Sequence, residues 1–209
     1  MSAFRYPVTL GLERRSCLVV GGGVTAEGRV TGLLEAGARV TVISPTLSRG
    51  LAALAGDGHF RWQPREFVGG DTEGFWMVMV AAGDGAVNRA VADEARRRGA
   101  LVNCADDPEC CDFVLPALLR RGPLTVAVST GGASPTMARL VRDELDATLS
   151  GHYARLTEVV AKVRRALRGR GLSLDGERWT GALDDEVKRL VAVGRTDEAR
   201  RRLQERLGG

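Results

Sequence analysis

Ser16-Cys17-Leu18-Val19-Val20-Gly21-Gly22-Gly23-Val24-Thr25-Ala26 is the stretch on which the fold turns. Five β-prone residues run into three glycines, and residues 24–35 then read as a helix stopped by Gly37. Strand, glycine turn and helix in this order make the G-x-G-x-x-G/A fingerprint. Gly21 serves the tight turn, Gly23 lets backbone approach a pyrophosphate, and the small Ala26 packs helix on strand. The start of the helix offers free N–H groups to phosphate. Gly21, Gly22, Gly23, Val24 and Thr25 are therefore expected to bind a dinucleotide. Taken alone, they would also fit a plain glycine turn.

Reading outward, Arg39–Ile43 is a second strand and His59–Gln63 a third. Phe75–Ala82 is apolar throughout, so it is expected to be the central strand, covered on both faces as in a parallel sheet. A helix over 87–98, stopped by Gly99, leads to a strand over 100–105. The alternation specifies a doubly wound α/β domain of the Rossmann type. The acidic ribose partner usual about 20 residues after the fingerprint is missing, since the second strand ends Ile43-Ser44-Pro45-Thr46. Arg49, the nearest cation, lies several residues further on, and no clamp for a 2′-phosphate is evident. NAD is thus favoured over NADP, with Ser44, Pro45 and Thr46 cradling the adenosine ribose. Ala82, Gly83 and Asn103, at strand ends on the ligand-binding edge, complete the expected cofactor site.

Beyond Asp112 the pattern changes. Phe113–Leu119 is apolar, 120–123 is a turn, and Leu124–Ser129 is a β-run ahead of Gly131-Gly132-Ala133. Ser134 can N-cap a helix with Pro135 at its first position and Met137, Leu140, Val141, Leu145 and Leu149 at helical spacing. From His152 the chain reads as helical, with a stripe of Leu156, Val159, Val160, Val163 and Leu167, a break at 169–173, and two further short helices. The resulting division is a Rossmann domain over 1–113, a small α+β unit over 114–150 and an all-α domain over 151–209.

Hydrophobic residues at 44% and charged residues at 27% are the composition of a globular protein. The longest apolar runs stop well short of the ~20 residues that span a bilayer. The N-terminus lacks a basic segment followed by an apolar one, so a cytoplasmic location is expected. Cys17, Cys104, Cys110 and Cys111 are then thiols, and the adjacent Cys110 and Cys111 lack the spacing of zinc ligands, so no metal site is expected. Residues 151–209 carry 14 Lys and Arg against 9 Asp and Glu. Two readings stand for Arg164, Arg165, Arg168 and Arg200–Arg202: solvated faces of amphipathic helices, or a surface for a polyanion. No helix-turn-helix or aromatic-interleaved basic patch points to nucleic acid.

Asn103-Cys104-Ala105-Asp106-Asp107-Pro108 falls at the end of a predicted parallel strand. Asp106 or Asp107 could serve as a general base, its proton affinity tuned by partial burial. Equally, the pair could be an Asx turn before Pro108.

Tyr6-Pro7, Val19–Gly23, Ala36-Gly37-Ala38, Val102-Asn103, Asp106-Asp107-Pro108, Cys111-Asp112-Phe113, Pro116-Ala117, Arg121–Leu124 and Ser129-Thr130-Gly131-Gly132 occur in fixed order. In these the chain resembles the precorrin-2 dehydrogenase/sirohydrochlorin ferrochelatase module of sirohaem synthase, over residues 4–150. The resemblance implies NAD-dependent oxidation of precorrin-2 to sirohydrochlorin, a homodimer assembled through the segment that includes Ser129–Leu149, and Asp106 as the catalytic aspartate. It places Ser129, Thr130, Gly131 and Gly132 near the substrate, and a serine phosphorylated in some relatives is Thr130 here. Iron (Fe2+) insertion into sirohydrochlorin is left open. The chain departs from the family's Thr-Asp-Asp with Gly83-Asp84-Gly85. The alternative is a nicotinamide-sensing regulator without enzymatic activity.

Overall fold

The computed structural model describes residues 6–173 and 175–208. They form two compact units, divided between Leu115 and Pro116. In the first, β1 (Ser16–Val20), β2 (Arg39–Ile43), β3 (Arg61–Gln63), β4 (Met77–Val80) and β5 (Leu101–Cys104) make one parallel sheet in the order β3-β2-β1-β4-β5. Val20 lies level with Ile43 and Val80, Ile43 with Gln63, and Val80 with Cys104. All five strands therefore end on one line, the C-terminal edge where open α/β sheets hold ligands.

Alternation along β1 explains why both faces are covered. Cys17 and Val19 point to one side, where α1 (Val24–Glu35) brings Ala26, Val30 and Leu33. Leu18 and Val20 point to the other, where α3 (Gly85–Arg97) brings Val91, Ala92 and Ala95. Every residue of β4 is buried for the same reason.

The middle strand is β1, not the 75–82 run. That run is interior, held between β1 and β5, and only Met77–Val80 of it is strand. Trp76 lies just before the strand, under the guanidinium of Arg15, and Ala81-Ala82 turn out into the ligand edge. A further helix, α2 (Arg49–Gly56), was not legible because it is short. Its markers are Ser48, whose hydroxyl accepts from the Leu51 N–H, and Leu51, which is fully buried.

The second unit opens with the hairpin of β6 (Ala117–Arg121) and β7 (Leu124–Val128). Arg120 and Arg121 belong to its first strand, so the turn is only Gly122-Pro123, with Gly122 at φ +55°. Helix α4 (Pro135–Thr148) starts as expected, with Ser134 accepting from the Met137 N–H. Then α5 (His152–Gly169) is followed by three helices where two were expected: α6 (Gly176–Ala182), α7 (Asp185–Ala192) and α8 (Thr196–Gly208). Asp175 and Asp184 cap α6 and α7. Leu156, Val159, Val163 and Leu167 of α5 pack with Leu190, Leu203 and Leu207 in a core belonging to this unit. Among the described residues, no helix is long and apolar enough to cross a membrane.

Leu18→Ala empties a site with no exposed surface at the middle of the sheet. It should cost about 3 kcal/mol of stability in urea unfolding, against less than about 0.5 kcal/mol for exposed Val68→Ala. Equal losses would contradict the assignment of β1 as the centre of the core.

Candidate functional site

A cleft of about 690 Å³ opens along the strand ends of the first unit. Gly21, Gly22, Gly23, Val24, Thr25, Ser44, Pro45, Thr46, Ala82, Gly83 and Asp106 all line it. Asn103 does not. It lies buried beneath, donating from Nδ2 to the Phe113 carbonyl at 2.9 Å, with its Oδ1 unpartnered. Ser129–Gly132 follow β7 in the second unit, where Thr130 staples the turn by donating to the Ser134 carbonyl and accepting from the Ser134 N–H, both at 3.0 Å.

Two glycines make the β1–α1 turn possible. Gly21 has φ +118°, and a Cβ there would stand 2.3 Å from the Ala81 carbonyl oxygen. A Cβ on Gly22 would stand 1.9 Å from the Thr46 carbonyl oxygen. The turn is thus pressed between the segments after β2 and β4. Gly23 differs: a Cβ there would meet no protein atom within 4 Å, and the residue is the N-cap of α1 with no side chain bonded to the helix's free N–H groups. This open, electropositive helix start over a turn that admits backbone only is what a pyrophosphate requires. The residues present fit a dinucleotide.

The flanks of the cleft are held by hydrogen bonds of Ser44 and Asp84 and by Glu27, Ser48, Trp62 and Asn88, which the sequence reading did not single out. Glu27 of α1 accepts the Ser48 hydroxyl at 2.5 Å, and the Gly22 carbonyl accepts the Ser48 N–H at 2.6 Å, fastening the segment after β2 to α1. Ser44 donates its hydroxyl to the Thr46 carbonyl at 2.8 Å, and its own carbonyl accepts Trp62 Nε1 at 3.0 Å. On the other flank Asn88 Nδ2 donates to the Ala82 carbonyl at 3.0 Å, and Asp84 caps α3 by accepting from the Ala86 N–H at 2.7 Å. Glu66 and Phe67, just past β3, also line the cleft. Their position beyond a parallel strand end was the available signal.

The two aspartates after β5 separate into different roles. Asp107 caps the 3-10 turn Pro108–Cys110, accepting from the Glu109 N–H at 3.0 Å and the Cys110 thiol at 3.2 Å. These bonds, the Cys110 thiol first, hold its carboxyl below the ordinary range. Asp107 is thus the Asx turn, and Asp106 is the one that faces the cleft. Asp106 is exposed within this unit, where partial burial was expected. Arg29 of α1 is half-buried close by. Desolvation pulls its guanidinium below the ordinary value, opposed by the neighbouring charges of Cys111 and Asp106. Burial pushes the Cys104 thiol up to about 12, and among the described residues no His, Cys, Asp and Glu cluster could hold a metal ion.

The glycines yield a paired test. Gly22→Ala should unfold or distort the turn, lowering the melting temperature. Gly23→Asp should keep the wild-type circular dichroism yet lose NADH binding in a fluorescence titration, because the carboxylate meets only the anionic ligand. Retained NADH affinity in a folded Gly23→Asp variant would remove this turn from the site.

The family described as putative NAD(P)-binding matches residues 8–117, and that described as sirohaem biosynthesis protein central matches residues 121–148. The siroheme synthase of Methylococcus capsulatus is 39% identical over 201 residues, covering 95% of this chain and 42% of that protein. That of Nitrosomonas europaea is 38% identical over 204 residues, covering 96% and 43%. The chain thus spans about two fifths of the length of these curated relatives. The solved structure of SirC, precorrin-2 dehydrogenase, superimposes with a TM-score of 0.77 at 28% identity, covering 96% of this chain and all of that one. With more than half of its length matched by the first model, the chain belongs to the putative NAD(P)-binding family, and the sirohaem biosynthesis central model matches the segment after it.

Proposed function

We propose that the protein oxidises precorrin-2 to sirohydrochlorin with NAD. The observation that carries this reading is Asp106, the carboxylate beyond β5 that faces the dinucleotide cleft. The match along the whole of SirC, a precorrin-2 dehydrogenase, supports it. Gly21–Thr25 would hold the pyrophosphate and Ser44–Thr46 the adenosine ribose. Bound there, NAD supplies the acceptor for the hydride that leaves the tetrapyrrole. Asp106 accepts the accompanying proton, and Arg29 of α1 lies beside it as a neighbouring positive charge. Asp107 holds the loop that presents Asp106. Insertion of Fe2+ into sirohydrochlorin also needs a carboxylate to take up pyrrole protons; Asp106 would meet that need, iron entering as substrate.

The three-part division over 1–113, 114–150 and 151–209 belongs to the same reading, as does a cytoplasmic location. Ser129–Gly132 would meet the substrate where Gly131 and Gly132, at φ +66° and +97°, expose the backbone; the Gly131 N–H donates to Ser129 Oγ at 3.2 Å and Thr130 is committed to the turn. Leu118, Met137, Leu140 and Leu145 are exposed on the hairpin and α4, an apolar surface that a second copy would cover to give a homodimer. In the C-terminal helices many cations are paired within the unit: Arg189 with Glu186, Arg200 with Asp197, and Arg202 and Arg206 with Asp184. This favours the solvated-face reading there, whereas Arg164, Arg165 and Arg168 on α5 remain exposed.

Asp106→Ala should lower dehydrogenation at least about a hundredfold while keeping NADH affinity, and Asp107→Ala should cost less than about tenfold. Wild-type turnover by a folded Asp106→Ala variant would refute the assignment. Sedimentation should give about twice the 22.3 kDa chain mass. A monomer at micromolar concentration would contradict the dimer.

A further inference from the structure

We infer that Glu66 selects NAD over NADP, taking the place of the ribose-binding acid that the end of β2 lacks. The inference rests on the cleft being a dinucleotide site. Residues 44–46 supply no carboxylate, although this is where Rossmann domains keep the group that accepts the ribose 2′-hydroxyl. Glu66 lines the same cleft from the neighbouring strand end, since Gln63 closes β3 level with Ile43 of β2. Its carboxylate has no hydrogen-bond or ion-pair partner among the described residues. Its backbone is held in place, because the Glu66 carbonyl accepts Arg65 Nη1 at 2.9 Å.

Arg65 is the cation that could otherwise receive a 2′-phosphate, and it is committed elsewhere. Its two terminal nitrogens grip Asp71 at 2.6 and 2.7 Å, and Nη2 also donates to Gln63 Oε1 at 2.5 Å. The fork is filled, and Arg65 does not line the cleft. Arg49, at the start of α2, is exposed and lies outside the lining too. The ionisable side chains that do line the cleft are Glu66, Asp84 and Asp106, all acids. A 2′-phosphate would bring close to two negative charges to this rim, whose lining holds no cation, whereas a ribose hydroxyl could donate to Glu66. Because Glu66 is exposed, the discrimination should be moderate and should shrink as salt rises.

The test is equilibrium titration of NADH and NADPH, followed by fluorescence, on the wild-type chain, Glu66→Gln and Glu66→Arg. The wild-type chain should bind NADH at least about tenfold more tightly than NADPH at low ionic strength, and this ratio should narrow in high salt. Glu66→Gln should tighten NADPH by roughly fivefold or more while NADH stays within about threefold, and Glu66→Arg should reverse the preference. An unchanged ratio in both folded variants, or a wild-type preference for NADPH, would overturn the role of Glu66 while leaving the dinucleotide site standing. A wild-type chain that binds neither nucleotide would remove the dinucleotide reading itself, and the inference with it.

Discussion

The close approach of the β1–α1 turn to its neighbours is the constraint on which the site depends. Gly22 presses on the Thr46 carbonyl and Gly21 on the Ala81 carbonyl, at separations that admit no side chain. These contacts draw the segments after β2 and β4 against the turn. The cleft therefore has backbone for a floor and a bare helix start at its centre. Gly23 is glycine for a different reason, since nothing of the protein crowds it. The space its missing side chain leaves is space kept for a ligand.

Charge is distributed around that floor with an evident division of labour. The helix start is the positive element, suited to a pyrophosphate. The ionisable side chains that line the cleft are acids, while Arg65 is paired with Asp71, Arg29 is set beside Asp106 and Arg49 lies outside the lining. On this account one acid handles a proton and another reads the ribose. Asp84 is occupied in capping α3.

The sheet was legible in the sequence because its signals are local and strong. The unbroken apolar run at β4 and the fingerprint after β1 each reflect burial on both faces or a steric demand for glycine. What the sequence left unresolved depends on pairing in space. Which strand is the middle one follows from the order β3-β2-β1-β4-β5, which no residue in the 75–82 run encodes. Asp106 and Asp107 are adjacent and chemically identical, and only the turn at Pro108–Cys110 assigns one to capping and the other to the cleft. Glu66 sits in a polar stretch with no periodicity, and becomes meaningful only because β3 pairs with β2. The extra helices were hidden by brevity: α2 and α6 have eight and seven residues, too few to show a stripe.

Turnover of precorrin-2 by the purified chain with NAD, following NADH and the tetrapyrrole spectrum together, decides whether the cleft is a dehydrogenase site. NADH and sirohydrochlorin should appear in equal amounts. A folded chain that binds NADH yet leaves precorrin-2 unchanged would contradict it.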